Sequence, residues 1–159
     1  MSFYGSPIAS IEAALQGSRP SLAAYQQWYA LRDELAPFIG ERAVSLFGYA
    51  ISDETGSLVC SVHFRRILVD SGEDPDAPQV TEAEQLLIDW GRAIARDPGK
   101  ITAAMRSRLE AAFHPELRVL LVAFAGQLIA TNLFAIVGRV PLEEALNDYR
   151  RPGDERTAG

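Results

Sequence analysis

Between Val119 and Val137 the chain runs nineteen residues without a charged side chain. Pro115 precedes this run and Gly138 follows it, residues suited to the first position and the end of a helix. The pattern predicts one long helix from Pro115 to Val137. Its length approaches the roughly 20 residues of a membrane span. Gln127, Thr131 and Asn132 interrupt it, however, and no other segment resembles a span. A helix apolar all round also serves as the centre of a bundle or an oligomer, so the segment reads as a buried protein helix.

The rest of the chain shows apolar residues at three and four spacing and no strand-like alternation bounded by turns, which predicts an all-α protein. Ser21 to Ala36 carries an aromatic stripe that includes Tyr25, Trp28 and Tyr29, and this helix is expected to end before Pro37. Gly40 to about Asp53 forms the next, with Gly48 inside it at a cost of about 1 kcal/mol against alanine. Ser57 is placed to cap a helix reaching Ser71 and stopped at Gly72. Thr81-Glu82-Ala83-Glu84 is a capping box that opens a helix ending at Asp97-Pro98-Gly99. A short amphipathic helix is expected over Thr102 to Phe113, and a last one over Leu142 to Tyr149. The organisation is one domain, with residues 1–39 an N-terminal helical segment, 40–149 a helical core and 150–159 a flexible tail lacking an apolar anchor.

A chain of 159 residues is long enough to bury roughly 70% of the surface its unfolded form exposes. The net charge of −6 argues against a nucleic-acid partner, because phosphate binding draws on clustered Lys and Arg. The single cysteine forms no internal disulfide, and the start lacks a basic and apolar leader. A cytoplasmic setting is therefore expected. Only His63 and His114 are available as histidine ligands, and nothing has metal-ligand spacing, so neither a metal nor another cofactor is expected.

The residues best placed for chemistry are Ser57, Cys60 and His63. Cys60 falls in the first turn of its helix, where the helix dipole favours a thiolate, and His63 lies on the same face as base or ion-pair partner. The alternative is that Cys60 is a small buried hydrophobe and His63 a hydrogen-bonded group at the helix edge.

The stretch from Thr81 to Pro98, the apolar helix with Asn132, and the ending Gly138-Arg139-Val140-Pro141-Leu142-Glu143 carry a family resemblance. From about Gly40 to Tyr149 the chain resembles the carboxymuconolactone decarboxylase and alkyl hydroperoxidase D superfamily. The resemblance implies an alkyl-hydroperoxidase-D-like helical bundle that assembles into a homo-oligomer, an assembly the long uncharged helix also favours. Redox members carry a Cys-x-x-Cys-x-x-x-His helix and an upstream glutamate. Aligned on Gly72, their first cysteine falls on Ser57, the second on Cys60, the histidine on Phe64 and the glutamate on Ser45. His63 stands one place early, and Glu41 one helical turn before Ser45.

The resemblance implies that Cys60 is the peroxide-attacking position. With serine at 57 no internal disulfide closes, so a peroxidase cycle would require an external thiol reductant. The decarboxylase branch works on a lactone without cofactor and would need cations for a carboxylate; Arg65, Arg66 and Arg139 are the candidates. A solvated face or an intersubunit salt bridge is the more ordinary role for those arginines. Two classes of function remain: a single-cysteine thiol peroxidase or oxidoreductase, and a non-redox protein, either a cofactor-free enzyme on a small carboxylate or lactone or a non-catalytic ligand-binding scaffold.

Overall fold

The computed structural model describes residues 8–154. Among them the secondary structure is helical throughout, with no strand, as the periodicity predicts. Seven α-helices follow in order: α1 Ala9–Leu15, α2 Arg19–Ile39, α3 Glu41–Thr55, α4 Leu58–Asp70, α5 Glu82–Arg96, α6 Ala103–Ala112 and α7 Pro115–Val137. Two 3₁₀ segments, Pro98–Lys100 and Glu144–Tyr149, complete the elements.

Helix α3 is the axis of the bundle. Every residue from Ala43 to Ser52 is buried, because α2, α4, α5 and α7 all pack around it. That burial explains Gly48, since a Cβ there would lie 2.4 Å from the Phe64 ring of α4. The glycine's helix cost is offset by the close approach of an aromatic side chain.

Local signals set several boundaries. The capping box at α5 has both of its bonds: Glu84 N donates to Thr81 Oγ1 at 3.2 Å, and Thr81 N donates to Glu84 Oε2 at 2.8 Å. Glu84 also pairs with Arg42, which holds Glu73 at 2.6 Å, so the start of α5 is tied to α3. Those ion pairs hold the Glu73 and Glu84 carboxyls below their ordinary range.

Other boundaries differ from expectation. Helix α2 continues through Pro37 to Ile39 and ends at Gly40, whose φ of 85° is costly for any other residue. Proline removes a single helix donor, and in the final turn that loss does not break the helix. At the end of α7, Gly138 stays right-handed and Arg139 takes the positive φ of 51°. A Cβ on residue 138 would meet the Phe134 carbonyl at 2.7 Å, so glycine is required there by proximity rather than handedness. The last expected helix is a 3₁₀ segment.

Helix α7 is buried on one side only. Leu117, Leu121, Phe124, Leu128 and Ala135 face the core, whereas Val119, Val122, Leu133 and Val137 are exposed. Among the described residues it is the one helix long and apolar enough to cross a membrane. Asn132, fully buried, donates to Thr55 Oγ1 at 2.7 Å and accepts from Ser52 Oγ at 3.3 Å, which fixes α7 against α3.

The expected flexible tail begins differently. Arg151 pairs with Asp53 and donates to the Tyr49 hydroxyl at 2.9 Å, so ionic contacts anchor residues 150–154 where apolar ones are lacking. Residues 155–159 of that tail lie outside the described residues.

Candidate functional site

Ser57 caps α4 as its position suggests, its Oγ accepting from Cys60 N at 3.4 Å. Cys60 itself has no exposed surface. Burial pushes its thiol up to about 12, outweighing the opposing hydrogen bond from Ser57. A helix N-terminus favours a thiolate by a modest amount, and here desolvation is the larger effect. At neutral pH the group is a protonated thiol.

His63 is buried between aromatic rings, 6.1 Å from the Trp28 centroid and 5.4 Å from that of Phe64. Burial, reinforced by the positive charges of Arg66 and Arg32, lowers its pKa to about 3. Its Nε2 and the Trp28 Nε1 are buried without a hydrogen-bond partner. Among the described residues no hydrogen bond joins Cys60 to His63, and the imidazole is neutral.

The cover over this region comes from the N-terminal helices. Ile8 and Ile11 are buried, and Ile8 N donates to the Tyr29 hydroxyl at 3.0 Å, which is itself bonded to Tyr25. Trp28 is fully buried between this cover and α4. At the aligned positions, Phe64 packs on Gly48 and Ser45 is buried in α3, so neither supplies a proton carrier.

Arg65 is a structural residue. Its guanidinium is buried and donates to Asp76 at 2.6 Å, to the Tyr49 hydroxyl at 3.0 Å and to the Tyr149 carbonyl at 2.8 Å. Desolvation opposes that charge, but the Asp76 and Tyr49 contacts more than offset it and raise its pKa. It clasps the C-terminal segment onto α4 and is not available to a ligand.

A different constellation lies on the outer side of Ser57. Gly56, Ser57, Leu58 and Val59 at the start of α4 line a cleft of about 630 Å³ together with Ile136, Arg139, Val140, Leu142 and Arg150. Arg150 Nε is buried without a partner. The Arg139 side chain enters no hydrogen bond or ion pair among the described residues. The first turn of α4 adds the partial positive charge of a helix N-terminus. Apolar walls, two cations and unsatisfied backbone donors suit a small molecule that joins a carboxylate to an apolar body.

Arg139 and Ser57 are legible in the sequence, whereas Arg150 falls in the segment expected to be a flexible tail. Its signal was the adjacent Arg151, whose pairing to Asp53 holds the segment in place. Among the described residues no group of His, Cys, Asp and Glu is arranged to hold a metal ion. Compared with family models, curated proteins and solved structures, the chain finds no match.

Proposed function

We propose that this protein is a non-redox member of the carboxymuconolactone decarboxylase and alkyl hydroperoxidase D superfamily, binding a small carboxylate or lactone acid in the cleft beside Ser57. One observation carries the reading: Arg139 and Arg150, two guanidiniums without partners among the described residues, line one cleft with the N-terminal turn of α4. The superfamily assignment rests on the sequence resemblance, and the α3–α4 pair turning at Gly56-Ser57 supports it.

In this reading the carboxylate sits between the two arginines. The apolar body lies on Leu58, Val59, Ile136 and Val140. The buried Arg150 Nε donates to nothing among the described residues, and a bound carboxylate would supply its acceptor. The redox reading is less favoured because Cys60 is buried and protonated and His63 is neutral.

The test is calorimetric titration and thermal shift with small aliphatic and lactone carboxylates, alongside their methyl esters. Acids are expected to raise the melting temperature and esters to have little effect. Arg150→Ala and Arg139→Ala should each weaken binding by roughly tenfold or more, the scale of a charge-assisted hydrogen bond. Equal binding of acids and esters, or no loss in either variant, would rule the reading out.

A further inference from the structure

A second hollow shares no residue with the cleft beside Ser57. Between α5, α6 and the start of α7 lies a groove of about 560 Å³, walled by Trp90, Pro98, Ile101, Leu109, Val119 and Val122, with Arg106, Glu110 and Arg118 also lining it. Small-molecule sites run to roughly 300–1,000 Å³ and have apolar walls with a few placed polar groups. The groove has that size and that composition.

Its walls are not spent on the core. Of the ten residues of α6 only Leu109 is buried, and it forms part of the groove. Val119 and Val122 are 71% and 51% exposed, so α7 presents this wall to solvent. Trp90, only 6% exposed, rests on Phe47 with ring centroids 6.1 Å apart. Its indole N–H nevertheless donates to no group among the described residues.

Charge says what the groove takes. The chain carries −6, but the stretch from Trp90 to Val122 that supplies most of the walls holds six cations against three acids, so it is +3 and the rest of the chain −9. Arg96 and Lys100 are spent on Glu54 and Asp97. Arg106 Nη1 donates to the Ile101 carbonyl at 2.6 Å, which fixes its guanidinium at the rim with Nε and Nη2 still to be used. Arg118 stands 3.6 Å from Glu110, too far for a good hydrogen bond. Two guanidiniums against one carboxylate leave the rim positive.

We propose that this groove binds a free single-chain amphiphile with a carboxylate head, its tail against Trp90, Leu109 and Val122 and its head received by Arg106 and Arg118. A guanidinium matches a carboxylate with two parallel N–H bonds, and the tail leaves water for apolar surface. A partner helix fits less well, because 560 Å³ is a cube about 8 Å on a side and a helix with its side chains is about 10–12 Å across. An anionic bilayer is opposed by the −9 of the remaining chain. The site stands or falls separately from the cleft beside Ser57, which is built of other residues.

The test is calorimetric titration with decanoate, decanol and hexanoate below their micelle concentrations, with tryptophan fluorescence recorded alongside. Decanoate is expected to bind tenfold or more tighter than decanol, and on the order of 100-fold tighter than hexanoate, which lacks four methylenes. Arg106→Gln and Arg118→Gln should each weaken decanoate by about tenfold and leave decanol unchanged, with helical circular dichroism retained. Trp90→Phe should remove the fluorescence response while heat is still released. Arg139→Ala and Arg150→Ala should leave that response intact, which keeps this site distinguishable from the other cleft. Decanoate binding no better than decanol, indifference to both arginine variants, a fluorescence response that survives Trp90→Phe, or binding only to anionic vesicles would each overturn the proposal. So would a chain that refuses decanoate and sediments as a dimer split by Val122→Glu.

Discussion

Phe64 lies with its ring against the backbone of Gly48, so near that the lightest side chain at residue 48 would collide with Cζ. Gly48→Ala is therefore expected to destabilise the protein by about 1–3 kcal/mol, although alanine is the better helix former. Combining it with Phe64→Leu should recover part of that loss. Urea unfolding of the two single variants and the double variant measures the coupling; simple additivity would show that the contact is not the cause.

The buried imidazole of His63 makes stability depend on pH with a definite sign. Its pKa falls from the ordinary 6.5 to about 3 on folding, so between those values the unfolded chain holds the additional proton. Stability is then lost as pH falls below about 6.5, by about 2–3 kcal/mol at pH 4.5. His63→Leu should flatten the dependence between pH 6.5 and 5, above the range where the paired carboxylates of Glu73, Glu84 and Asp76 contribute. An unchanged slope in urea midpoints would contradict the neutral buried state.

Cys60 should behave as an inert thiol. With burial pushing it up to about 12, labelling of the folded protein at pH 7 is expected to proceed only through opening of the α1–α2 cover or unfolding. Ile11→Ala, which loosens that cover, should accelerate labelling, while dilute peroxide should give no sulfenic acid. Rapid labelling of the native protein, with a midpoint near the ordinary thiol value, would restore the redox reading.

Asn132 offers a fourth test. Replacing it with alanine removes the acceptor of Ser52 and the donor to Thr55 inside the bundle, at an expected cost of about 1–3 kcal/mol. Thermal and urea denaturation report the loss directly, and a stability within experimental error of the parent would mean the three-residue network is not holding α7 to α3.

The elements most legible in the sequence are those closed by their own neighbours. Thr81 and Glu84 bond each other, Ser57 caps its own helix, and Pro115 and Gly138 bracket α7. What the sequence concealed depends on residues far apart in the chain. Gly48 looked like a weakness of α3 because Phe64 is sixteen residues away. Arg65 could be assigned no specific partner because its acceptors, Asp76, Tyr49 and the Tyr149 carbonyl, come from three other segments. Cys60 lies in the first turn of α4 as expected, but its protonation follows from complete burial among residues of other helices. Arg150 was invisible for a related reason, since its segment is held by charge and carries no apolar anchor.

The clasp around Arg150 has a consequence for the cleft. Its neighbour Tyr149 is gripped on one side by Arg65 at its carbonyl and by Asp70 at its hydroxyl, and Arg151 on the other side is held by Asp53. The cation that faces the cleft is thus suspended between the hydrogen bonds of Tyr149 and the ion pair of Arg151. If the cleft binds an anion as proposed, unzipping of the chain's end and release of that anion would be one equilibrium, and added salt would loosen both together.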